Sequence, residues 1–410
     1  MLLTSFSTIC VVRVSTFKEI VFMNCDKAWD FIWKKLFSYE TNLIYDHPLE
    51  KIYFPTLEEI SLSVPNACGW NTGMEDSMIS FGRVLDGIVY NYKVTGDKSL
   101  HSYAALLLDG AFKCATISGS EGFLARSIHP TDKKSYYIDS SRDQYTHFVN
   151  AVVNYMNCDL CTENESKKIK DILISIAKRA EKNVTPENDY HLLRADEKTG
   201  IVDKMWQVDP HEALRLPMIY LAAYLASNDD HWLKLCYTYR DEAISESFNY
   251  KKVWHYQIAY QTSVSARFMY DYDPDESYRK KYCELLEYLA TLAGNTVLDI
   301  AKIVKDEGIT FSEPVFNWRG CPMKYDLHKP IGEKAYIVPI KPPKYEREHY
   351  LFVDAIDSIS IQAISPTTKI PPEQLEALEQ ILDAVDYEKH VNRHSCAIVN
   401  LAYLLNARKA

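Results

Sequence analysis

Apolar residues recur at helical spacing along nearly the whole chain, and no sustained period-two alternation interrupts them. The pattern predicts twelve helices, near residues 26–38, 73–95, 98–117, 141–158, 165–184, 210–226, 229–248, 252–271, 275–306, 349–364, 372–386 and 394–408. Gly294 is a candidate break in the ninth. Connections as short as Gly96-Asp97 and Asn228-Asp229 make sequential neighbours antiparallel hairpins. Residues 213–226 carry almost no charge, as a helix surrounded by protein would, whereas 165–184 has a lysine-rich face and suits an outer position.

Inner and outer helices in alternation imply two layers. The expected fold is all-α, a closed (α/α)6 barrel of six helical hairpins built by residues 25–410. An extension of uncertain status, 1–24, precedes it. No fixed repeat supports a TPR, HEAT or ankyrin array, and no aspartate-rich DDxxD helix supports a terpene-cyclase-like bundle. Residues 309–347, with their Pro, Gly, Lys and Tyr, read as a long irregular excursion of the kind often functional over a pocket.

Composition supports a large buried core, with 47% apolar and 25% charged residues among 410. Against 46 Lys and Arg stand 56 Asp and Glu, a formal charge of −10 with no basic block. Nucleic acid and acidic membrane surfaces are therefore poor partners, and an anionic ligand needs a local arginine cluster. The ten cysteines are scattered through mostly apolar contexts and read as reduced core residues. Cys158 and Cys161 have metal or redox spacing, but no second pair completes a zinc site. No apolar window reaches the ~18 residues of a membrane span. Leu2 to Val12 resembles a weak signal h-region without a preceding Lys or Arg or a clear cleavage site. The expectation is a cytoplasmic or periplasmic protein, with Met23 as an alternative start.

Polar residues at the starts of inner helices converge on one mouth of such a barrel. The first such stretch is Gly69-Trp70-Asn71-Thr72-Gly73-Met74-Glu75-Asp76. Thr72 and Glu75 fit a capping box, which leaves Asp76 for chemistry. The second is Ser140-Ser141-Arg142-Asp143-Gln144-Tyr145-Thr146-His147, where Asp143 and His147 share a helix face. Ser140 with Asp143 also resembles a cap, and His147 as a buried, bonded core residue is an equal reading. The third is Trp206 to Arg215, with Asp209 as N-cap, Pro210 at the first helical position and His211 and Arg215 four apart. Trp254, His255, Gln257 and Gln261 form a fourth set, and Trp318-Arg319 a fifth. His390 and His394 are also four apart but read as solvated or capping groups rather than metal ligands.

Aromatic platforms (Trp70, Tyr145, Trp206, Trp254, Trp318) beside Arg126, Arg142, Arg215, Arg319 and a few carboxylates suit sugars, acidic sugars above all. A glycosidic bond needs a proton donor and a second carboxylate to activate water or stabilise the cationic centre. Asp76 and Asp143 are the pair expected to supply them, with Glu75 as a rival to Asp76 and His147 as a further catalytic candidate. Trp70, Asn71, Arg126, Arg142, Gln144, Tyr145, Trp206, His211, Arg215, His255, Trp318 and Arg319 are the candidate binding residues. No metal or other cofactor is required.

Gly73-Met74-Glu75-Asp76, Ser140-Ser141-Arg142-Asp143-Gln144-Tyr145 and the paired helices together resemble the six-hairpin glycosidase superfamily. The bacterial unsaturated glucuronyl and galacturonyl hydrolases and a related β-glucuronidase group are the members most similar. The motif match is confined to roughly residues 69–147. The resemblance implies that Asp143 transfers the proton, as the later aspartate does in hydrating the enol-ether double bond, and that Asp76 supports it. It also implies a uronic-acid-containing oligosaccharide as substrate, its carboxylate held by one or two of Arg126, Arg142 and Arg215. Two alternatives stay open: a polysaccharide lyase in which Tyr145 or His147 takes the C5 proton, and a non-catalytic carbohydrate-binding protein whose carboxylates only cap helices.

Overall fold

The computed structural model describes residues 19–208, 214–250, 255–312, 315, 317–325, 337–340, 343–387 and 394–409. The chain is mostly helical, an all-α protein with two short antiparallel hairpins among the described residues. The helices are α1 (Glu19–Phe31), α2 (Leu57–Ser61), α3 (Ser77–Thr95), α4 (Leu100–Thr116), α5 (Arg142–Met156), α6 (Glu163–Asn183) and α7 (Arg215–Ser227). They continue as α8 (Asp230–Ser247), α9 (Tyr256–Tyr272), α10 (Arg279–Ala293), α11 (Thr296–Glu307), α12 (Pro343–Ile364), α13 (Pro372–Asp383) and α14 (His394–Ala407).

Local chemistry sets many of these boundaries. Gly96 ends α3 and Asn228 ends α7, both in the left-handed region that satisfies a last-turn carbonyl. Thr162 and Glu165 form a capping box that starts α6, and Asp229 caps α8. The long 275–306 stretch divides at Gly294, giving α10 and α11. Two differences from the periodicity have simple causes. The five-residue α2 is too short to display a period, although Thr56 and Glu59 cap it reciprocally. In turn, α12 begins at Pro343 rather than near 349, because proline is tolerated in a first turn and the charged run Lys344 to Glu348 hides the apolar stripe.

Burial sorts the helices. Residues Arg215 to Ala223 of α7 and Gln144 to Val153 of α5 are buried in unbroken runs, whereas α6 buries only a stripe through Ile169, Leu173, Ile176 and Ala180. The heavily buried α3 packs on α5 and α14, α12 on α9 and α14, and α7 on α5 and α9. Packed against these in turn are α4, α6, α8, α10, α13 and α1. One hydrophobic cluster runs from Cys25 to Leu405. The α3 and α5 backbones touch at Gly82, where an added Cβ would stand 2.5 Å from the His147 carbonyl oxygen. That contact fixes the spacing between the two helices that carry Asp76 and Asp143.

Of the 309–347 excursion, Phe311 bridges to Val385, Trp318–Gly320 form a helical turn, and Met323–Tyr325 pair with Ile337–Pro339. His211, Trp254 and His390 lie outside the described residues.

Candidate functional site

Residues 69–76 loop rather than coil, because Gly69, Asn71 and Gly73 all take positive φ. The expected Thr72–Glu75 capping box therefore does not form: α3 starts only at Ser77, too far along for it. Thr72 Oγ1 instead donates to the Gly69 carbonyl (2.6 Å), and the Glu75 carboxylate accepts the Asn71 N–H (2.8 Å). Glu75 thus holds the loop from within. Asp46 closes it from below by accepting the backbone N–H groups of Glu75 and Asp76.

Asp76 occupies the N-cap position of α3 without capping it. Its Oδ1 turns to α5 and accepts from Gln144 Nε2 (2.6 Å) and Arg126 Nη1 (3.2 Å). Arg126 and Gln144 also donate to the Glu75 carbonyl, so both are committed to this loop. Gln144 is fully buried and Arg126 nearly so, while the Asp76 side chain keeps 13% exposure.

Asp143 stands in the first turn of α5, one packed helix away. Ser140 does not cap this helix; its hydroxyl donates to the Leu124 carbonyl, and Ser141 occupies the N-cap position in extended conformation. The turn is clamped by Arg142 N–H donating to the Val202 carbonyl and by Asp139 accepting the Ile201 N–H. Asp203, paired with His191 at 2.5 Å, sits behind. Gly200 is required there, since a Cβ would meet Asp139 Oδ1 at 2.2 Å. Asp143 is 29% exposed, and its Oδ1 lies 3.6 Å from Arg215 Nη2. Arg215, 1% exposed, also donates to Thr146 and to Gln261 Oε1.

The two aspartates share a field. Burial lowers the Arg126 pKa, but Cys68, Asp76, Asp139 and Asp143 outweigh it and raise the guanidinium above its ordinary value. Arg126 is therefore a buried cation in contact with Asp76 and in the field of Asp143.

Deeper in the helices, the Arg83 guanidinium pairs with buried Asp357 at 2.9 Å and lies 4.2 Å from the Tyr260 ring centroid. His147, also buried, stacks on the same Tyr260 ring with centroids 5.8 Å apart. A cleft of about 20 Å³, room for roughly one water, lies between Ser80, Arg83, Gln257, Asp357, His394 and Cys396. Arg83 and Asp357 escaped the sequence reading. Their signal is a charge inside each of two largely apolar runs, 77–90 and 351–364.

Several expected binding residues sit elsewhere. Tyr145 is fully buried, its hydroxyl accepting the Leu124 N–H and donating to the Gly122 carbonyl, and burial pushes its pKa up to about 12. It is therefore no base for a C5 proton. Trp206 is a core residue packed edge-on against Tyr239 of α8. Trp318 is buried with its indole N–H on the Tyr53 carbonyl, and Arg319 forms a bidentate pair with Glu59, so this pair staples the excursion to α2. His255, half-exposed before α9, stacks on Tyr350 at 3.7 Å. Trp70 and Asn71 are half-buried on the loop before Asp76, and Arg142 is half-buried in the first turn of α5 beside Asp143.

Among the described residues, no group of three His, Cys, Asp or Glu is placed to hold a metal, and no helix is long and apolar enough to cross a membrane. Comparison with known protein families, curated proteins and solved structures finds no match to this chain.

Proposed function

We propose that the chain is a glycoside hydrolase of the six-hairpin (α/α)6 type, acting on uronic-acid-containing oligosaccharides. The helix packing supports the barrel part of this reading: the order α3, α5, α7, α9, α12, α14 returns to α3, with other helices outside it. One observation carries the function. Asp76 and Asp143 stand at the first turns of neighbouring helices, both partly exposed, with buried Arg126 in the field of both.

In this reading Asp143 transfers the proton at the scissile or vinyl-ether bond, and Arg215 fixes its position. Asp76, oriented by Arg126 and Gln144, supports the water or the cationic centre. Arg126 and Arg215 are buried, and the candidate for the substrate carboxylate is Arg142, half-buried beside Asp143 in the first turn of α5.

The test is to incubate the protein with saturated and 4,5-unsaturated glucuronides and galacturonides, following near-ultraviolet absorbance and released sugar. Loss of absorbance identifies an unsaturated-uronyl hydrolase, and sugar release from saturated glucuronides alone a glucuronidase. A gain on intact polysaccharide replaces the proposal with a lyase, and no change on any substrate with a binding protein.

A further inference from the structure

The same helices end around a second, larger space. A cavity of about 590 Å³ lies between the C-terminal halves of α3, α5, α9 and α14 and the residues following α12, at the end opposite Asp76 and Asp143. Its charged lining is Asp86, Lys93, Arg267, Asp271 and Arg408. Tyr90, Tyr260 and Tyr272 supply aromatic walls.

These charges do not cancel. Arg267 is paired with Asp271 at 2.8 Å. Arg408 donates only to the backbone carbonyls of Gln362, Ala363 and Thr368, and neither it nor Lys93 has a carboxylate within ion-pair distance among the described residues. Burial and the neighbouring Arg267 both pull the Arg408 pKa below its ordinary value, although Arg267 itself is paired with Asp271. In a chain of net charge −10, exposed Lys93 and Arg408 make a local cationic rim on this solvent-open cavity.

Asp86 is the opposite pole. It is buried, with Oδ2 accepting from Asn150 (2.6 Å) and Oδ1 from Asn154 (2.8 Å), and Tyr272 donates in turn to Asn154. A carboxylate accepts about four hydrogen bonds, so capacity remains for hydroxyl donors of a ligand.

We propose that this cavity binds a small hydroxylated anion, a phosphorylated or carboxylated sugar, with its acidic group between Arg408 and Lys93 and its hydroxyls toward Asp86. The site is separate from the paired aspartates and does not depend on their chemistry. A sugar ring would lie among the tyrosines, and the acidic group would relieve the Arg267–Arg408 repulsion.

The experiment is calorimetric titration of the full chain with glucose 6-phosphate, glucuronate, inorganic phosphate and glucose. The expected result is that glucose 6-phosphate or glucuronate binds at one site at least about tenfold more tightly than phosphate or glucose, and that Lys93→Gln and Arg408→Gln each weaken it by about tenfold, one charge-assisted contact. The relative strength of the two acidic sugars identifies which acid the site takes. Arg408→Gln also removes bonds to the end of α12; Lys93→Gln removes none in the described structure and keeps the test valid if the former fails to fold. Equal binding of phosphate or glucose, no saturable binding by any probe, or binding unchanged in Lys93→Gln overturns the proposal.

Discussion

The two ends of the inner helices treat charge differently. Toward their starts the charges are matched, Asp76 with Arg126 and Asp143 with Arg215, and about two turns further along α3 Arg83 pairs with Asp357. The cleft beside Arg83 is about 20 Å³. At the other end, some ten residues or about 15 Å along α3, Asp86 meets only amides, Arg408 meets only carbonyls, and about 590 Å³ stands open. Tyr260 touches both, packed against Arg83 on one side and lining the cavity on the other. Matched charges hold a geometry, whereas Lys93 and Arg408 face open volume with no carboxylate at ion-pair distance among the described residues.

The sharpest way to break this contrast is to unmatch the first end. Arg83→Met removes the cation paired with buried Asp357 and is expected to cost about 3–5 kcal/mol, read by urea denaturation. The double variant with Asp357→Leu should recover most of that loss, since an apolar pair of similar volume often replaces a buried ion pair without penalty. Failure to recover would show that Asp357 matters beyond this pair.

A smaller effect tests the frame common to both ends. Gly82→Ala places a methyl against the His147 carbonyl and is expected to destabilise by about 1–3 kcal/mol as α3 and α5 are forced apart. A stability within error of wild type would mean that the contact is looser than described.

A pH-dependent effect reads the second end alone. Burial raises the Asp86 pKa from 3.8 to about 7, against the opposing influence of Asn154, Asn150 and Lys93. The folded state therefore holds a proton that the unfolded chain releases, and stability from this group is complete below about pH 4 and is lost as pH rises to about 7. The melting temperature of wild type should fall relative to Asp86→Asn across that window and run parallel to it above pH 8. A constant difference from pH 4 to 8 would place Asp86 in an ordinary solvated setting.

The helical framework was readable because helix period, capping residues and Gly294 act locally. The site was readable only in part. Periodicity put Asp76 and Asp143 at helix starts, but α5 buries polar residues such as His147 and Asn150 along with apolar ones, so its polar stripe did not mark a solvent face or tell that Tyr145 faces the core. Trp206 and Trp318 likewise suit a sugar platform or a hydrophobic core equally, and only tertiary packing decides for the core. Thr72 and Glu75 have capping-box spacing, but three positive-φ residues in the same loop delay the helix. Asp86 was overlooked because one acid in a helix reads as a solvated face. Its partners Asn150 and Asn154 are four apart on α5, a spacing visible in sequence but without meaning until α3 and α5 are packed.

The carboxylate pair is tested most directly by the turnover of Asp143→Asn on whichever uronide the wild type consumes, with the melting temperature recorded alongside. Turnover is expected to fall by about 10²–10⁴ with the melting temperature nearly unchanged, as loss of a positioned proton-transfer group does. A variant that stays folded and turns over within a few-fold of wild type would contradict the mechanism.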